Sequence, residues 1–356
     1  MFEDLIFRIS GARKNKLPFV VYRDPGSQKI KGLFQKDDQL NYLDDFKEQG
    51  FVFAPFDDVA PTIIFKKYNC DHFELDYEKE LLVDSLPKKT LANTSNSPVD
   101  HQQAKRDHLA LVNKGLDFLK DQNVSKVVLS RNEEVDLKGL ELSEIFLRLV
   151  QNYPLAFVYL WVHPQVGCWM GASPETLLEV KNKQFKTMAL AGTQSFQGNL
   201  DVTWGSKEIQ EQQFVTDFIE SQLNDFDLEI SKPFTKKAGS LLHICTEIKG
   251  VLADDDQLGR LVGVLHPTPA VCGLPKDRAM AFILENETYD RAFYTGYLGE
   301  LHIGNGSNLY VNLRCMQIKD HKAVLYIGGG ITAHSIAESE WEETVAKSKV
   351  MKEVFM

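Results

Sequence analysis

Cysteine is scarce in this 356-residue chain. Its five cysteines, Cys70, Cys168, Cys245, Cys272 and Cys315, stand too far apart to form a metal-ligand or redox motif. Their odd number and apolar neighbours predict reduced, mostly buried thiols in a cytoplasmic protein. Long apolar runs are missing too, and none approaches the roughly 20 residues of a membrane-spanning helix. The start, Met1-Phe2-Glu3-Asp4, lacks the basic opening and apolar core of a secretory signal. Positive charge is in deficit: 40 Lys and Arg face 50 Asp and Glu, a formal charge of −10. With no basic stripe interleaved with aromatics, that balance excludes a nucleic-acid binder. Short basic clusters such as residues 232–237 read as solvated surface. No P-loop, no G-x-G-x-x-G spacing, no tandem repeat and no low-complexity tract is present.

What the chain does have is a globular composition, 43% apolar and 25% charged, and enough length for one large domain or two ordinary ones. The first ninety residues alternate short apolar runs with polar turns and read as strands, carrying no chemical motif. The polar stretch 88–100, KKTLANTSNSPVD, is the best linker candidate. It separates an N-terminal strand-rich region, 1–100, integrated with the main fold, from a catalytic region, 101–356. Beyond it the pattern predicts helices over 102–122, 142–152 and 207–223. Strands are expected at 126–130, 156–162, 176–180, 185–190, 241–248, 296–303, 309–317 and 323–327. Without a regular βαβ rhythm, this order favours an α+β fold: large, mainly antiparallel sheets flanked by helices.

Polar residues at strand ends and among glycines mark the candidate chemistry. Lys126 opens an apolar strand, a setting that would desolvate the amine and suit it to general-base work, with a snorkelling lysine as the alternative. Glu175 sits in the tight turn Gly171-Ala172-Ser173-Pro174-Glu175, as a general acid or a plain turn residue. Leu190-Ala191-Gly192-Thr193 offers small residues where a ligand can approach the backbone. Glu211 follows Lys207 by four positions, as in an ordinary helical ion pair. The block Leu265-His266-Pro267-Thr268-Pro269-Ala270-Val271-Cys272-Gly273-Leu274-Pro275 dictates a rigid, irregular path. Glu287, Arg291 and Tyr294 follow, and Arg314 interrupts an apolar strand, where it is either paired or free for a carboxylate. At the end of the chain, Gly328-Gly329-Gly330 reads as a turn before an acidic helix. On that helix Glu340, Glu343 and Lys347 share one face.

Taken together, SPET, AGT, the helix around Glu211, HPTPAVCGLP, ETYDRAFYTGYLG, LRC and GGGI…EWEETVAKSK resemble the chorismate-utilising enzymes. That family includes the isochorismate, salicylate, anthranilate and aminodeoxychorismate synthases. The resemblance covers about residues 102–356. Lys126 and His266-Pro267-Thr268-Pro269-Ala270 look like the isochorismate-forming branch. Ala191 stands where aminodeoxychorismate synthases carry a nucleophilic lysine.

The resemblance implies an Mg²⁺-dependent isomerase converting chorismate to isochorismate for menaquinone or siderophore biosynthesis. A salicylate synthase is the alternative, and an anthranilate or aminodeoxychorismate synthase component a more distant one. By the same resemblance, Lys126 activates water and Glu175 protonates the leaving hydroxyl. Glu211 and Glu343 ligate the metal, with Glu340 beside them. Arg314 and Tyr294 bind the enolpyruvyl carboxylate. Gly192, Thr193, Gly328 and Lys347 line the pocket, and His266 and Ala270 shape its wall. No amidotransferase subunit, nucleic acid or membrane is expected as a partner, and a monomer or weak homodimer is the expected state. The chain departs from the family in having Ile327-Gly328-Gly329-Gly330 where alternating Ala and Gly are common, and its N-terminal region is short.

Overall fold

A computed structural model describes residues 2–57, 59–77, 98–121, 123–137, 139–238, 241–254 and 256–356. Its short apolar runs form two antiparallel sheets. The first runs β14 (Gly273–Leu274), β6 (Lys126–Asp136), β18 (Lys322–Ile331), β17 (Cys315–Lys319), β8 (Gly167–Ser173), β7 (Phe157–His163), β1 (Phe19–Arg23), β2 (Lys29–Gln35) and β5 (Cys70–Asp76). The second runs β11 (Glu229–Ile230), β13 (Leu241–Val251), β10 (Gln184–Ser195), β9 (Thr176–Lys181), β16 (Gly306–Val311), β15 (Tyr297–Ile303), β3 (Gly50–Ala54) and β4 (Ile63–Lys66). Here β12 (Phe234–Ala238) pairs beside β13. The α+β expectation holds.

The strands read as unbroken apolar runs because both of their faces are covered. In β7, Phe157, Tyr159 and Trp161 point into a core between the sheets, while Val158 and Leu160 point out toward helices. In β1, Val20 and Tyr22 take the inner face, and Phe19 and Val21 the outer one. The inter-sheet core is aromatic: Tyr22 lies 5.0 Å from Phe51, Phe53 5.0 Å from Trp161, and Phe157 4.2 Å from Tyr310, between ring centroids. Each such pair adds about 0.5–1.5 kcal/mol beyond area burial.

Helices cover the outer faces. α1 (Phe2–Lys14) and α3 (Leu142–Asn152) pack on the first sheet, with the last turn of α7 (Ala337–Lys352). α4 (Ser206–Gln222) and α5 (Gln257–Leu265) pack on the second. α2 (Pro98–Phe118) and α6 (Lys276–Asn286) flank β6 at the end of the first sheet. β1, β2 and β5 belong to the first sheet, while β3 and β4 belong to the second, so the N-terminal residues are shared between both layers.

Four local expectations are corrected. The N-terminal residues open with a helix, α1, whose Phe2, Leu5, Ile9 and Ala12 form a buried stripe at helical spacing. Of the polar stretch 88–100, residues 88–97 lie outside the described residues, and Pro98, Val99 and Asp100 begin α2 instead of a loop. The apolar run 309–317 is two strands, not one, and the chain passes from the second sheet to the first at Asn312-Leu313-Arg314. Finally, Gly328, Gly329 and Gly330 are no turn. They continue β18 in register with Ser130, Leu129 and Val128 of β6.

Candidate active site

Two places where the chain changes sheets set up the site. β8 belongs to the first sheet and β9 to the second, and Glu175 sits on the crossing between them. There Ser173 Oγ donates to the Val311 carbonyl at 2.5 Å, and the Glu175 carbonyl accepts from Val311 N at 3.0 Å. The second crossing carries Arg314, whose φ of 48° lies in the left-handed region. Such a backbone costs a residue with a side chain on the order of 1–3 kcal/mol. The surroundings hold it there: the Arg314 carbonyl accepts from Ala172 N, and Asn312 accepts from Tyr159 OH at 2.6 Å and donates to the Phe293 carbonyl. An acid and a guanidinium thus reach the same cavity from adjacent crossings of opposite sense.

That cavity encloses about 780 Å³ of empty space including its open mouth. Its lining includes Glu175, Gly192, Thr193, Glu211, Ala270, Arg314, Gly328, Glu343 and Lys347. Nine residues singled out from the sequence, scattered over more than 170 positions, are therefore brought together. Gly192 adopts φ +71° at a bulge in β10, where an added Cβ would meet the Glu208 side chain at 2.9 Å, so the position demands glycine.

Lys126 is fully buried at the start of β6, its Nζ 2.9 Å from Glu211 Oε1 of α4. This pair lies against Gly330. A Cβ there would stand 2.2 Å from Glu211 Oε1 and 2.8 Å from Lys126 Cε. A Cβ on Gly329 would lie 3.6 Å from Glu340 Oε2 and 3.7 Å from Glu343 Oε1. The glycines are bare so that side chains from α4, α7 and β6 can converge over one strand. A Gly330→Ala protein is expected to fold, because the clashing carboxylate is the tip of a flexible side chain. Its activity should fall by at least about tenfold as the Lys126–Glu211 pair is displaced; circular dichroism with a turnover assay checks both parts.

The three carboxylates are each held by a lysine. Glu211 pairs with Lys126, Glu340 with Lys207 at 2.5 Å, and Glu343 with Lys347 at 2.8 Å. Lys207 therefore reaches across to α7 and does not form the helical pair with Glu211 that their spacing suggested. Lys347 also donates to the Gly328 carbonyl at 2.9 Å. Burial pushes the Glu211 carboxyl up, but Lys126, Lys207 and Lys347 outweigh it and hold the group below the ordinary carboxylate range. Burial and the neighbouring Glu343 raise Glu340, against the pull of Lys207. Glu175 behaves differently. Burial lifts it to about 7, although Lys126, Lys236, Arg314 and Lys347 all pull the other way. A buried carboxyl that retains its proton near neutrality is suited to a general acid.

Among the described residues, no three Asp, Glu, His or Cys side chains are arranged so as to hold a metal ion by themselves. Still, Glu211, Glu340 and Glu343 supply only oxygen donors beside two consecutive glycines. That donor set fits a hard divalent ion such as Mg²⁺, which takes one or two carboxylates and completes its shell with water and substrate oxygens.

Two expected contacts lie behind the wall. His266 Nε2 donates to the Pro55 carbonyl at 3.0 Å, and its ring meets Tyr297 edge-on at 4.9 Å. It braces the proline-rich segment outside the cavity. Tyr294 is buried and stacked on Tyr326 at 5.4 Å, with its hydroxyl 2.6 Å from where a Gly328 Cβ would be. It supports the floor from beneath. Glu287 and Arg291 form a buried bidentate pair, with distances of 2.6 and 2.8 Å. From that pair Arg291 donates to the carbonyls of Val271 and Val128, tying the proline-rich segment to β6.

Sequence reasoning missed His243 of β13. Its Nδ1 donates to the Gly192 carbonyl at 2.8 Å, so its Nε2 is the acceptor for Arg314 Nη2 at 2.8 Å. Burial and the nearby Arg314 and Lys347 depress its pKa well below the ordinary histidine value, which keeps it neutral in that role. The signal was a lone polar ring in the apolar run Leu241-Leu242-His243-Ile244-Cys245. Missed as well was Lys236, part of the basic cluster read as solvated; it is partly buried and acts on Glu175.

Residues 63–356 match the family model described as chorismate binding enzyme. The chain is 31% identical over 259 residues to the isochorismate synthase DhbC of Bacillus subtilis, covering 67% of this chain and 65% of that protein. It is 30% identical over 244 residues to the isochorismate synthase EntC of Escherichia coli K12, covering 65% and 62%. The matches thus span just under two thirds of these relatives' own length. In fold, the chain is similar to a 2,3-dihydroxybenzoate-specific isochorismate synthase of Bacillus anthracis, with a TM-score of 0.77, 22% identity and coverage of 95% and 96%. It is also similar to anthranilate synthase component I of Streptococcus pneumoniae, with a TM-score of 0.65, 19% identity and coverage of 94% and 92%.

Proposed function

The chain belongs to the chorismate-binding enzymes, and from that membership we propose that it converts chorismate to isochorismate. The observation that carries the reading is a fully buried lysine, paired with Glu211 of the cavity wall, together with a buried carboxyl near pKa 7 that lines the same cavity. These are the base and the acid that a water-for-hydroxyl exchange requires. The names of the relatives support the same reaction.

In this mechanism Lys126 is the base that takes a proton from water as the oxygen bonds to C2 of the ring. The two ring double bonds shift, and the C4–O bond breaks. Glu175 gives its proton to the departing hydroxyl, which leaves as water. Lys126 ends with one proton more and Glu175 with one fewer, and proton exchange with solvent resets both. Acid–base assistance of this kind is worth about 10²–10⁴-fold per group.

Arg314, held by His243, is placed for the enolpyruvyl carboxylate, with Tyr294 supporting the floor beside it. Lys347 stands over the Gly328 carbonyl on the side of α7, positioned for the ring carboxylate. Mg²⁺, held by Glu211 and Glu343 with Glu340 alongside, would neutralise and orient that carboxylate. Local cations and a metal thereby offset the overall charge of −10 for a dianionic substrate. Ala191, in place of a nucleophilic lysine, counts against the aminodeoxychorismate reading, while Lys126 favours water over an amine, so no amidotransferase partner is expected. The product would feed menaquinone or catecholate siderophore synthesis.

Chromatography after incubation with chorismate and Mg²⁺ tests the reading. Isochorismate as the product supports it; salicylate with pyruvate would assign the chain to the neighbouring activity, and a requirement for ammonium would refute it. For Glu343→Gln, the Mg²⁺ concentration needed for half-maximal thermal stabilisation in the presence of chorismate is expected to rise about tenfold or more. An unchanged titration would remove Glu343 from the ligand set.

A further inference from the structure

Lys236 lies on β12, directly opposite His243 of β13 in the antiparallel register. Directly opposed residues present their side chains on one face, so Lys236 shares the face from which His243 holds Arg314. The neighbouring strand adds Leu190 to that face, opposite Cys245, and Leu190 lines the cavity. The Lys236 side chain is partly buried. Among the described residues no carboxylate forms an ion pair with it; its ammonium instead points at Met188 Sδ, 3.3 Å away. A thioether is a poor acceptor for an ammonium withdrawn from water. Other partly buried lysines around the site, Lys207 and Lys347, each have a carboxylate within 2.8 Å. Lys236 differs from them in facing a carboxyl, Glu175, whose pKa burial lifts to about 7.

We propose that Lys236 is a further substrate-binding residue, which pairs with the enolpyruvyl carboxylate beside Arg314 and selects for a dianionic ring substrate. The inference rests on the reading of the cavity as a chorismate site. It gives the enolpyruvyl carboxylate two cations from different elements, a guanidinium at a sheet crossing and an ammonium on an edge strand. A substrate bearing the ring carboxylate alone would leave the Lys236 ammonium without a carboxylate, and sites that strand a buried polar group reject such analogues strongly.

Lys236→Met is the test, because its side chain is close in length and keeps the contact with Met188. With wild-type protein, conversion of chorismate is established first; no conversion refutes the functional reading itself. With conversion in hand, the methionine variant is expected to raise KM for chorismate roughly tenfold or more, with kcat at its optimum changed less than about threefold. Lys236→Arg should restore most of the loss. Glu175 is faced by Lys126, Lys236, Arg314 and Lys347, so removing one of these cations should also move the alkaline limb of the kcat profile to higher pH. A residue with only a structural role would produce neither the arginine rescue nor the shifted limb. An unaltered KM together with an unshifted limb would overturn the assignment of Lys236 while leaving the proposed reaction intact.

Discussion

Replacing Lys126 by alanine is expected to lower the rate of isochorismate formation by about 10²–10⁴-fold while chorismate still binds. The loss should fall on kcat, because the groups proposed to bind the carboxylates, Arg314 and Lys347, remain where they are. Removing one member of a buried ion pair usually destabilises a protein by about 3–5 kcal/mol. Here the cost should be smaller, because Glu211 keeps Lys207 and Lys347 as neighbouring cations and Lys126 leaves no charge of its own behind. Calorimetric titration with chorismate, alongside steady-state kinetics, separates binding from turnover. Residual activity above about a tenth of wild type would mean that another base activates the water.

For Glu175→Gln, a loss of about 10²–10⁴-fold is again expected, with a distinct signature in pH. Glu175 must be protonated to act, and its pKa is lifted to about 7. Wild-type kcat should therefore fall as pH rises through about 7, and that limb should be absent in the glutamine protein. The substitution that lowers activity should raise stability at alkaline pH. A carboxyl whose pKa is raised on folding favours the native state below its unfolded value near 4.5. That contribution is lost as pH climbs to about 7. At pH 8 the wild-type protein carries a buried carboxylate that glutamine does not, so the variant should melt higher, by an amount on the order of 1–3 kcal/mol. Thermal unfolding at pH 5 and pH 8 checks this: a gain present at pH 8 and much smaller at pH 5 is expected, while equal effects at both would contradict it.

Much of the site was legible because its residues sit in short, unusual local contexts. A lysine at the head of an apolar strand, a glutamate in a proline turn and an arginine inside an apolar run all announce themselves. What the residues do to one another was not legible, since it depends on long-range pairing. The three glycines looked like a turn because glycine normally breaks strands; only the register with β6 shows that bare backbone is needed for Lys126 and Glu211 to meet. Lys207 and Glu211 were correctly spaced for a helical pair, yet Glu340, more than a hundred residues away, takes the lysine. Arg314 seemed to lie within one strand because Leu309 to Gln317 is apolar on both sides of it. The break at the arginine arises from the crossing between two sheets, and no local periodicity encodes that. His266 carried the reverse error: a histidine before proline in a conspicuous motif proved to be a brace on Pro55.

The account rests on water adding at C2 while a different oxygen leaves from C4. Incubating the protein with chorismate and Mg²⁺ in H₂¹⁸O, then locating the label in the product by mass spectrometry, tests this directly. One ¹⁸O atom at C2 of isochorismate is predicted, with none retained from the original C4 hydroxyl. Unlabelled isochorismate would show that the hydroxyl migrates within the molecule, and neither Lys126 nor Glu175 would then hold the role given to it.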